Sequence, residues 1–183
     1  MIGQLSKEEV NRKLLHIVAV VLPVLIFYVP IFFDISRLFI FGIILLLFIF
    51  SLLIEILRFK VFSFGNWFIC SFGSMMRLNE QKELTGATFI LGGSAICSLL
   101  SIDSEDVAVA AFLSLSLFII GDAAAAIVGK AIGRIRIGIK TLEGAGGCFF
   151  SCLIIGGLIF PQLPLFLDYW GGKISIFEII IIA

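Results

Sequence analysis

The chain has 183 residues, of which 61% are hydrophobic and 14% are charged, and its formal net charge is zero. Soluble domains are roughly half apolar and about one quarter charged, so this composition predicts a protein whose surface faces lipid. The balanced charge argues against a nucleic-acid-binding protein, which would carry a basic patch or stripe. We therefore expect an all-α fold, a polytopic transmembrane helical bundle that forms a single integral membrane domain over residues 1–183.

The apolar runs of the chain have lengths close to the roughly 20 residues that a transmembrane helix needs. A mixed stretch rich in aromatic residues, at 59–76, is instead typical of an interfacial helix. The remaining runs predict about six membrane segments, which lie at residues 14–33, 38–57, 86–100, 107–128, 144–160 and 174–183.

Lysine and arginine are distributed unevenly between alternate loops, and this asymmetry predicts orientation. If the N-terminus is cytoplasmic, eleven of the thirteen basic residues fall in cytoplasmic segments, and only Arg37 and Lys173 fall outside. We therefore predict a cytoplasmic N-terminus in a multi-pass protein. The membrane is a bacterial inner membrane or that of the endoplasmic reticulum or a plastid.

The most informative polar pattern lies at residues 121–144, which read GDAAAAIVGKAIGRIRIGIKTLEG. Asp122 is near the cytoplasmic end of an apolar span, where an ionisable group is costly and usually faces protein or water. The glycines that follow predict a flexible loop, and Glu143 comes just before the next span. Phosphate handling needs cations, glycines that let backbone N–H groups approach, and carboxylates for Mg²⁺. The pattern is not a Walker A loop, but it predicts a phosphate site, with Gly129, Lys130, Gly133, Arg134, Arg136, Gly138 and Lys140 in the loop.

Two further polar clusters would share the cytoplasmic face. The first has a helical spacing that puts its members on one side of a helix, and it contains the single histidine of the chain. The second precedes the segment at 86–100, where an acidic residue is also favoured by the helix dipole. Basic loops are ordinary topology signals as well, and a histidine at a helix entrance also suits a structural role. The first cluster comprises Glu9, Arg12, Lys13 and His16, and the second Glu80, Lys82, Glu83, Thr85 and Gly86.

Four segments carry a family resemblance when they are read together and in order. They are EVNRKLLH at 9–16, ELTG at 83–86, GDAAAAIVGKAIGR at 121–134 and KTLEG at 140–144. This series resembles the CTP-dependent lipid-alcohol kinases, the family of dolichol kinase, phytol kinase and the yeast-type diacylglycerol kinase. It is more distantly similar to the phosphatidate cytidylyltransferases. The last two segments are the specific part of the resemblance, and the first two are weak by themselves.

The resemblance implies a fold of membrane helices and a transfer of phosphate from CTP, with Mg²⁺, to a lipid alcohol in the bilayer. That alcohol would be diacylglycerol, a polyprenol or dolichol, or phytol. Asp122, Glu143 and His16 would be catalytic, and the two acids would also hold the metal. The residues that the resemblance assigns to CTP are Arg12, Lys13, Gly129, Lys130, Gly133, Arg134, Lys140 and Thr141.

Two other functions remain open at this point. A cytidylyltransferase would use the same parts on a lipid phosphate and release pyrophosphate. A small transporter or scaffold would use Asp122 as a buried coupling residue, but transporters place such groups near the bilayer midplane in broken helices. The clustering of charged residues at one face favours the kinase.

Overall fold

The computed structural model describes residues 18–73, 76, 80, 82–138 and 140–182, and these fold mostly into helices. The helix of residues 142–154 continues as a π-helix and a 3-10 turn, Ile155–Ile159 and Phe160–Gln162. The predicted helical fold is confirmed, with one short β-hairpin added. In chain order the elements are α1 (Val21–Phe33), α2 (Arg37–Lys60), α3 (Phe62–Phe72), α4 (Gly86–Leu100), α5 (Glu105–Ile132), β1 (Arg136–Ile137), β2 (Lys140–Thr141), α6 (Leu142–Ile154), α7 (Phe166–Trp170) and α8 (Ile176–Ile182).

Three helices of the described chain are long and apolar enough to cross a membrane. They are Arg37–Lys60, Glu105–Ile132 and Leu142–Gln162, and they match the segments predicted at 38–57, 107–128 and 144–160. Helices α1 and α4 are apolar but shorter. These helices support a membrane protein, whereas the number of six segments and the orientation stay predictions.

Helix α4 matches the segment predicted at 86–100, and the other predicted segments differ from the helices observed. The segment at 59–76 contains α3, which an extended residue, Val61, separates from α2. The segment at 174–183 contains α8, whose seven residues measure about 10 Å, roughly a third of the hydrocarbon core. Residues 14–17 of the first segment lie outside the described residues.

Two buried clusters hold the helices together. One is aromatic and joins α1, α5 and α7 through Phe27, Phe112 and Phe166. The other is aliphatic and joins α1, α2, α4 and α5, with Ile26 and Ile44 at its centre. The aromatic rings meet in edge and tilted arrangements, with centroids 5.5 Å apart for Phe27 and Phe112, a geometry that favours aromatic pairs.

Polar contacts tie three helix ends together at one side of the bundle. Arg37 at the start of α2 lies 3.4 Å from the Glu105 carboxylate and donates to the Ser101 carbonyl, also at 3.4 Å. Glu105 opens α5, where the Ser104 hydroxyl caps the backbone N–H of Val107. Because α2 and α5 run away from this side and α4 runs towards it, the opposite side collects the predicted polar motifs. We call that side the motif end: the ends of α2 and α5 and the starts of α4 and α6.

Candidate functional site

The predicted flexible loop begins four residues later than expected. Helix α5 continues ten residues beyond Asp122 to Ile132, so Gly129 and Lys130 lie inside it. The prediction that the loop begins at Gly129 is therefore wrong by four residues, because the helix that contains the alanine-rich run continues through Gly129. The true turn is the β1–β2 hairpin, where Gly138 has a φ of +64° that favours glycine.

Helices α5 and α6 pack with their backbones almost in contact. A Cβ atom on Gly144 would lie 2.8 Å from the carbonyl oxygen of Ala125 and 3.2 Å from the Cα atom of Gly129. A Cβ atom on Gly129 would lie 2.7 Å from the hydroxyl of Thr141. Small residues allow such close approach between membrane helices. In this structure Gly129 and Gly144 therefore bring the two helices together, whereas the sequence predicts a phosphate-binding role for Gly129.

This close packing predicts different outcomes for two neighbouring glycines. Gly144→Ala should lower the free energy of unfolding by about 1–3 kcal/mol, because the added methyl group overlaps backbone atoms of α5. Gly146→Ala is the matched control, since nothing lies within 4 Å of its added methyl group. Thermal unfolding of both variants in detergent micelles measures the difference. Equal melting temperatures for the two variants would contradict the close contact.

The start of α6 is fastened to the hairpin by two of the predicted site residues. The Thr141 hydroxyl caps the helix by accepting from the backbone N–H of Gly144 at 3.2 Å. Both carboxylate oxygens of Glu143 accept from the backbone N–H of Ile135, at 3.1 and 3.3 Å. Glu143 therefore holds the hairpin against α6.

Four cations surround this turn with exposed side chains. Lys130 lies in the last turn of α5, and the other three lie in or beside the hairpin. Gly133, which follows the last residue of α5, connects this helix to the hairpin. Charge-assisted hydrogen bonds to phosphate oxygens are about twice as strong as neutral ones, so the exposed turn suits a polyphosphate. The four are Lys130, Arg134, Arg136 and Lys140.

Asp122 lies at a different depth from Glu143. Gly144 packs beside Ala125 and Gly129, and Asp122 is seven residues before Gly129, or about 10 Å deeper along α5. Asp122 is half-buried, and it has at least one interacting group around it. The two predicted catalytic acids therefore do not lie side by side.

This separation bears on the predicted Mg²⁺ site. The described residues contain no group of three or more His, Cys, Asp or Glu side chains that could hold a metal. Mg²⁺ commonly uses one or two carboxylates and takes its other ligands from substrate phosphates and water. Glu143 accepts from Ile135 and Asp122 also has an interacting group, so each acid would offer at most part of its carboxylate to an ion held by substrate phosphates. The metal itself stays a prediction.

The role of Glu143 can be separated from metal binding by substitution. Glu143→Gln keeps an oxygen that accepts from Ile135, so the hairpin should stay in place. The free energy of unfolding should change by less than about 1 kcal/mol. Glu143→Ala removes the acceptor and should loosen the hairpin. Limited proteolysis at the exposed basic residues of the turn reports the loosening. Equal cleavage of both variants and the parent would show that Glu143 does not fasten the turn.

A buried ion pair lies near the end of α2. It is not among the predictions from the sequence. Glu55 and Arg58 form a salt bridge across one helical turn and are only 2% and 5% exposed. Arg58 also lies over the Phe59 and Phe68 rings, 4.5 and 5.5 Å from their centroids. One signal was present: an acid inside an otherwise apolar run is expected to have a partner and a role.

The pair holds the second predicted cluster in place. One oxygen of Glu55 accepts from the backbone N–H of Thr85 at 3.0 Å and from its hydroxyl at 2.7 Å. Arg58 donates to the carbonyls of Glu80 and Glu83, each at 2.7 Å. The ELTG segment is therefore anchored to α2 through its backbone, and this anchor brings it to the motif end.

The first predicted cluster lies outside the described residues. This applies to Glu9, Arg12, Lys13 and His16, whose predicted roles stay predictions. The structure brings the second cluster and the turn of residues 129–144 to the same end of the bundle, with Asp122 deeper in α5.

Comparison with known proteins gives one informative similarity. No family model and no solved structure matches the chain. Over 181 residues the chain is 28% identical to Uncharacterized protein RP860 of Rickettsia prowazekii (strain Madrid E). The aligned region covers 96% of this chain and 78% of that protein. The similarity thus extends over nearly the whole chain, and the name of the relative carries no activity.

Proposed function

We propose that the protein is an integral membrane kinase that transfers a phosphoryl group from CTP to a lipid alcohol. The observation that supports this best is the placement of Asp122, a half-buried carboxylate in a membrane-length helix, beneath an exposed turn with four cations. An acid at such a position is costly unless it has a use. The cations are the groups that a polyphosphate needs.

In this proposal the nucleotide lies over the turn and the lipid stays in the bilayer. Lys130, Arg134 and Lys140 hold phosphate oxygens, and they stabilise the charge that develops on the transferring group. The triphosphate spans the depth between the turn and Asp122. Arg12 and Lys13, which precede α1 in the sequence, add further positive charge.

The reaction needs one hydroxyl group and one carboxylate in contact. Asp122 accepts a hydrogen bond from the lipid hydroxyl, orients its oxygen towards the γ-phosphorus and takes its proton. The new bond joins the lipid oxygen to that phosphorus, the bond from phosphorus to the bridging oxygen breaks, and CDP leaves. His16, the third predicted catalytic residue, serves as a second acid or base in this proposal.

Asp122 is also the residue that would hold Mg²⁺ with the phosphates of CTP. When bound, Mg²⁺ neutralises charge on the phosphate oxygens. Glu143 then acts on the site by fixing the hairpin that carries the cations, through its bonds to Ile135.

The membrane arrangement belongs to the same proposal. The motif end faces the cytoplasm, where CTP is available, and the N-terminus lies on that side. The uneven distribution of lysine and arginine supports this orientation. About six segments then enter or cross the membrane, of which three are long enough to span it by themselves.

A transfer assay in membranes that carry the protein tests the proposal. The γ-labelled nucleotide is CTP or ATP, and the acceptors are diacylglycerol, a polyprenol and phytol in turn. We expect label to enter one of the lipids from CTP. Label from neither nucleotide would overturn the kinase, and label from ATP alone would overturn the choice of donor. CTP labelled at the α position, supplied with a lipid phosphate as the acceptor, detects a cytidylyltransferase instead.

A further inference from the structure

An apolar groove opens on the side of the bundle between α1, α5 and the segment after α6. Its volume is about 500 Å³. Val20 and Ile120 line the end nearer Asp122, and Phe33 and Pro164 line the other end. The Tyr28 hydroxyl donates to the carbonyl of Pro164 at 3.1 Å, so one polar group of this wall is already satisfied.

The dimensions of the groove match one hydrocarbon chain. Helix α1, which forms one wall, has 13 residues and is therefore about 20 Å long. A methylene group fills about as much space as a water molecule in the liquid, roughly 30 Å³. The volume of the groove is thus of the order that one hydrocarbon chain needs.

One buried hydroxyl in the wall lacks a partner. Ser116 lines the groove and is only 1% exposed. Within the described part of the chain its hydroxyl makes no hydrogen bond. Ser114, two residues earlier on the same helix, donates to the carbonyl of Ala110 at 2.8 Å in the usual way. A buried donor without an acceptor is unfavourable, so Ser116 indicates a ligand that brings an acceptor into an otherwise apolar groove.

We propose that the groove binds one acyl chain of an ester-linked lipid, whose ester carbonyl accepts a hydrogen bond from Ser116. This inference deepens the proposed function, on which it rests, because it selects an acylglycerol from the candidate alcohols. A polyprenol or phytol has no carbonyl and would leave the hydroxyl unsatisfied.

The depth of the groove agrees with the proposed reaction. Ile120, at its inner end, is two residues from Asp122, or about 3 Å along the axis of α5. Ser116 is six residues from Asp122, about 9 Å along the same axis. In an acylglycerol the ester carbonyl lies a few bonds from the free hydroxyl. A lipid with its carbonyl at Ser116 therefore carries its hydroxyl towards the depth of Asp122.

Photocrosslinking measures this binding without any transfer of phosphate. The full-length protein in liposomes is exposed to diacylglycerol with a diazirine at the end of one acyl chain, or with a diazirine close to the ester. Mass spectrometry then maps the labelled residues. We expect the terminal probe to label residues near Phe33 and Pro164, and the probe near the ester to label residues near Val20 and Ile120. Equal labelling of lipid-facing residues elsewhere, such as Leu53 and Ile96, would overturn the proposal that the groove binds the acyl chain.

The role of Ser116 is tested by comparing the ester probe with its ether analogue, which lacks the carbonyl. The parent protein should capture the ester about two- to tenfold better, and Ser116→Ala should remove this preference. Ser114→Ala is the matched control and should keep it. Equal capture of ester and ether by the parent would overturn the hydrogen bond, and better capture of a diazirine-labelled polyprenol would overturn the lipid class.

A second pair of variants tests the groove by filling it. Val24→Trp adds volume inside it and should lower capture of the ester at least fivefold. Leu53→Trp, at an exposed position of α2, should not. A decrease in both variants, or in neither, would contradict the groove. Capture of the ester by a protein that transfers no phosphate would overturn the kinase and leave this site standing.

Discussion

Asp122→Asn should reduce phosphate transfer by at least about 100-fold, the usual effect of removing a general base. The amide has nearly the same size as the carboxylate, but it neither accepts the proton of the hydroxyl nor holds a cation as well. The protein should still insert and remain folded, because Asp122 is only half-buried. Initial rates of label transfer from γ-labelled CTP measure the effect, and the amount of protein in the membrane normalises them.

Asp106→Asn is the matched control for this experiment. Asp106 lies in the first turn of the same helix and is exposed at the end away from the motifs. Its replacement should change the rate of phosphate transfer by less than twofold. It should lower stability only slightly, through the lost interaction of the carboxylate with the helix dipole. Full activity in Asp122→Asn would remove the central residue of the proposal. A loss in both variants would point to insertion rather than chemistry.

The helices were largely predictable because lipid imposes length and apolarity on them. Helix α4 occupies the predicted residues 86–100, and α2 extends the predicted 38–57 by a few residues at its end. Membrane segments must satisfy their own backbone hydrogen bonds, so an apolar run of sufficient length is read directly as a helix. The sequence predicts too early an end for α5, because Gly129 is typical of the beginning of a loop, whereas the helix continues to Ile132.

The glycines show why the site was less predictable than the fold. In isolation Gly129 predicts a flexible backbone, and Gly144 opens the segment predicted at 144–160. In the structure the backbone of the neighbouring helix lies against each of them, and this packing compensates for their weak helix propensity. A single sequence does not reveal which glycine faces another helix. The four cations of the turn are exposed in the structure, and their role in binding phosphate stays a prediction.

Ser116 shows a second limit of prediction from sequence. Most serines within a membrane helix bond to the carbonyl four residues earlier, as Ser114 does. Nothing in the sequence distinguishes Ser116 from Ser114. The two differ only in the folded structure, where Ser114 is exposed and Ser116 is buried in the wall of the groove.

The ion pair of Glu55 and Arg58 should have the largest effect on stability of any charged contact in the described chain. Glu55→Leu should lower the free energy of unfolding by about 3–5 kcal/mol, because it leaves the guanidinium buried without its anion. Arg58→Met should have a similar effect on the isolated carboxylate. The double variant removes both charges together and should lose less than the sum of the two. Denaturant or thermal unfolding in detergent micelles gives all three values.

The ion pair of Arg37 and Glu105 provides the comparison that makes this prediction specific. Its side chains are 12% and 53% exposed and lie 3.4 Å apart, so water screens their attraction. In a double-mutant cycle of its own, this pair should show a coupling energy below about 1 kcal/mol. The coupling energy of the buried pair should reach about 1–3 kcal/mol. Replacement of Arg58 should also expose the ELTG segment to proteolysis, because Arg58 binds the carbonyls of Glu80 and Glu83. Replacement of Arg37 should leave that segment protected. Equal coupling in the two pairs would mean that water reaches Glu55 and that the anchor of this segment is loose.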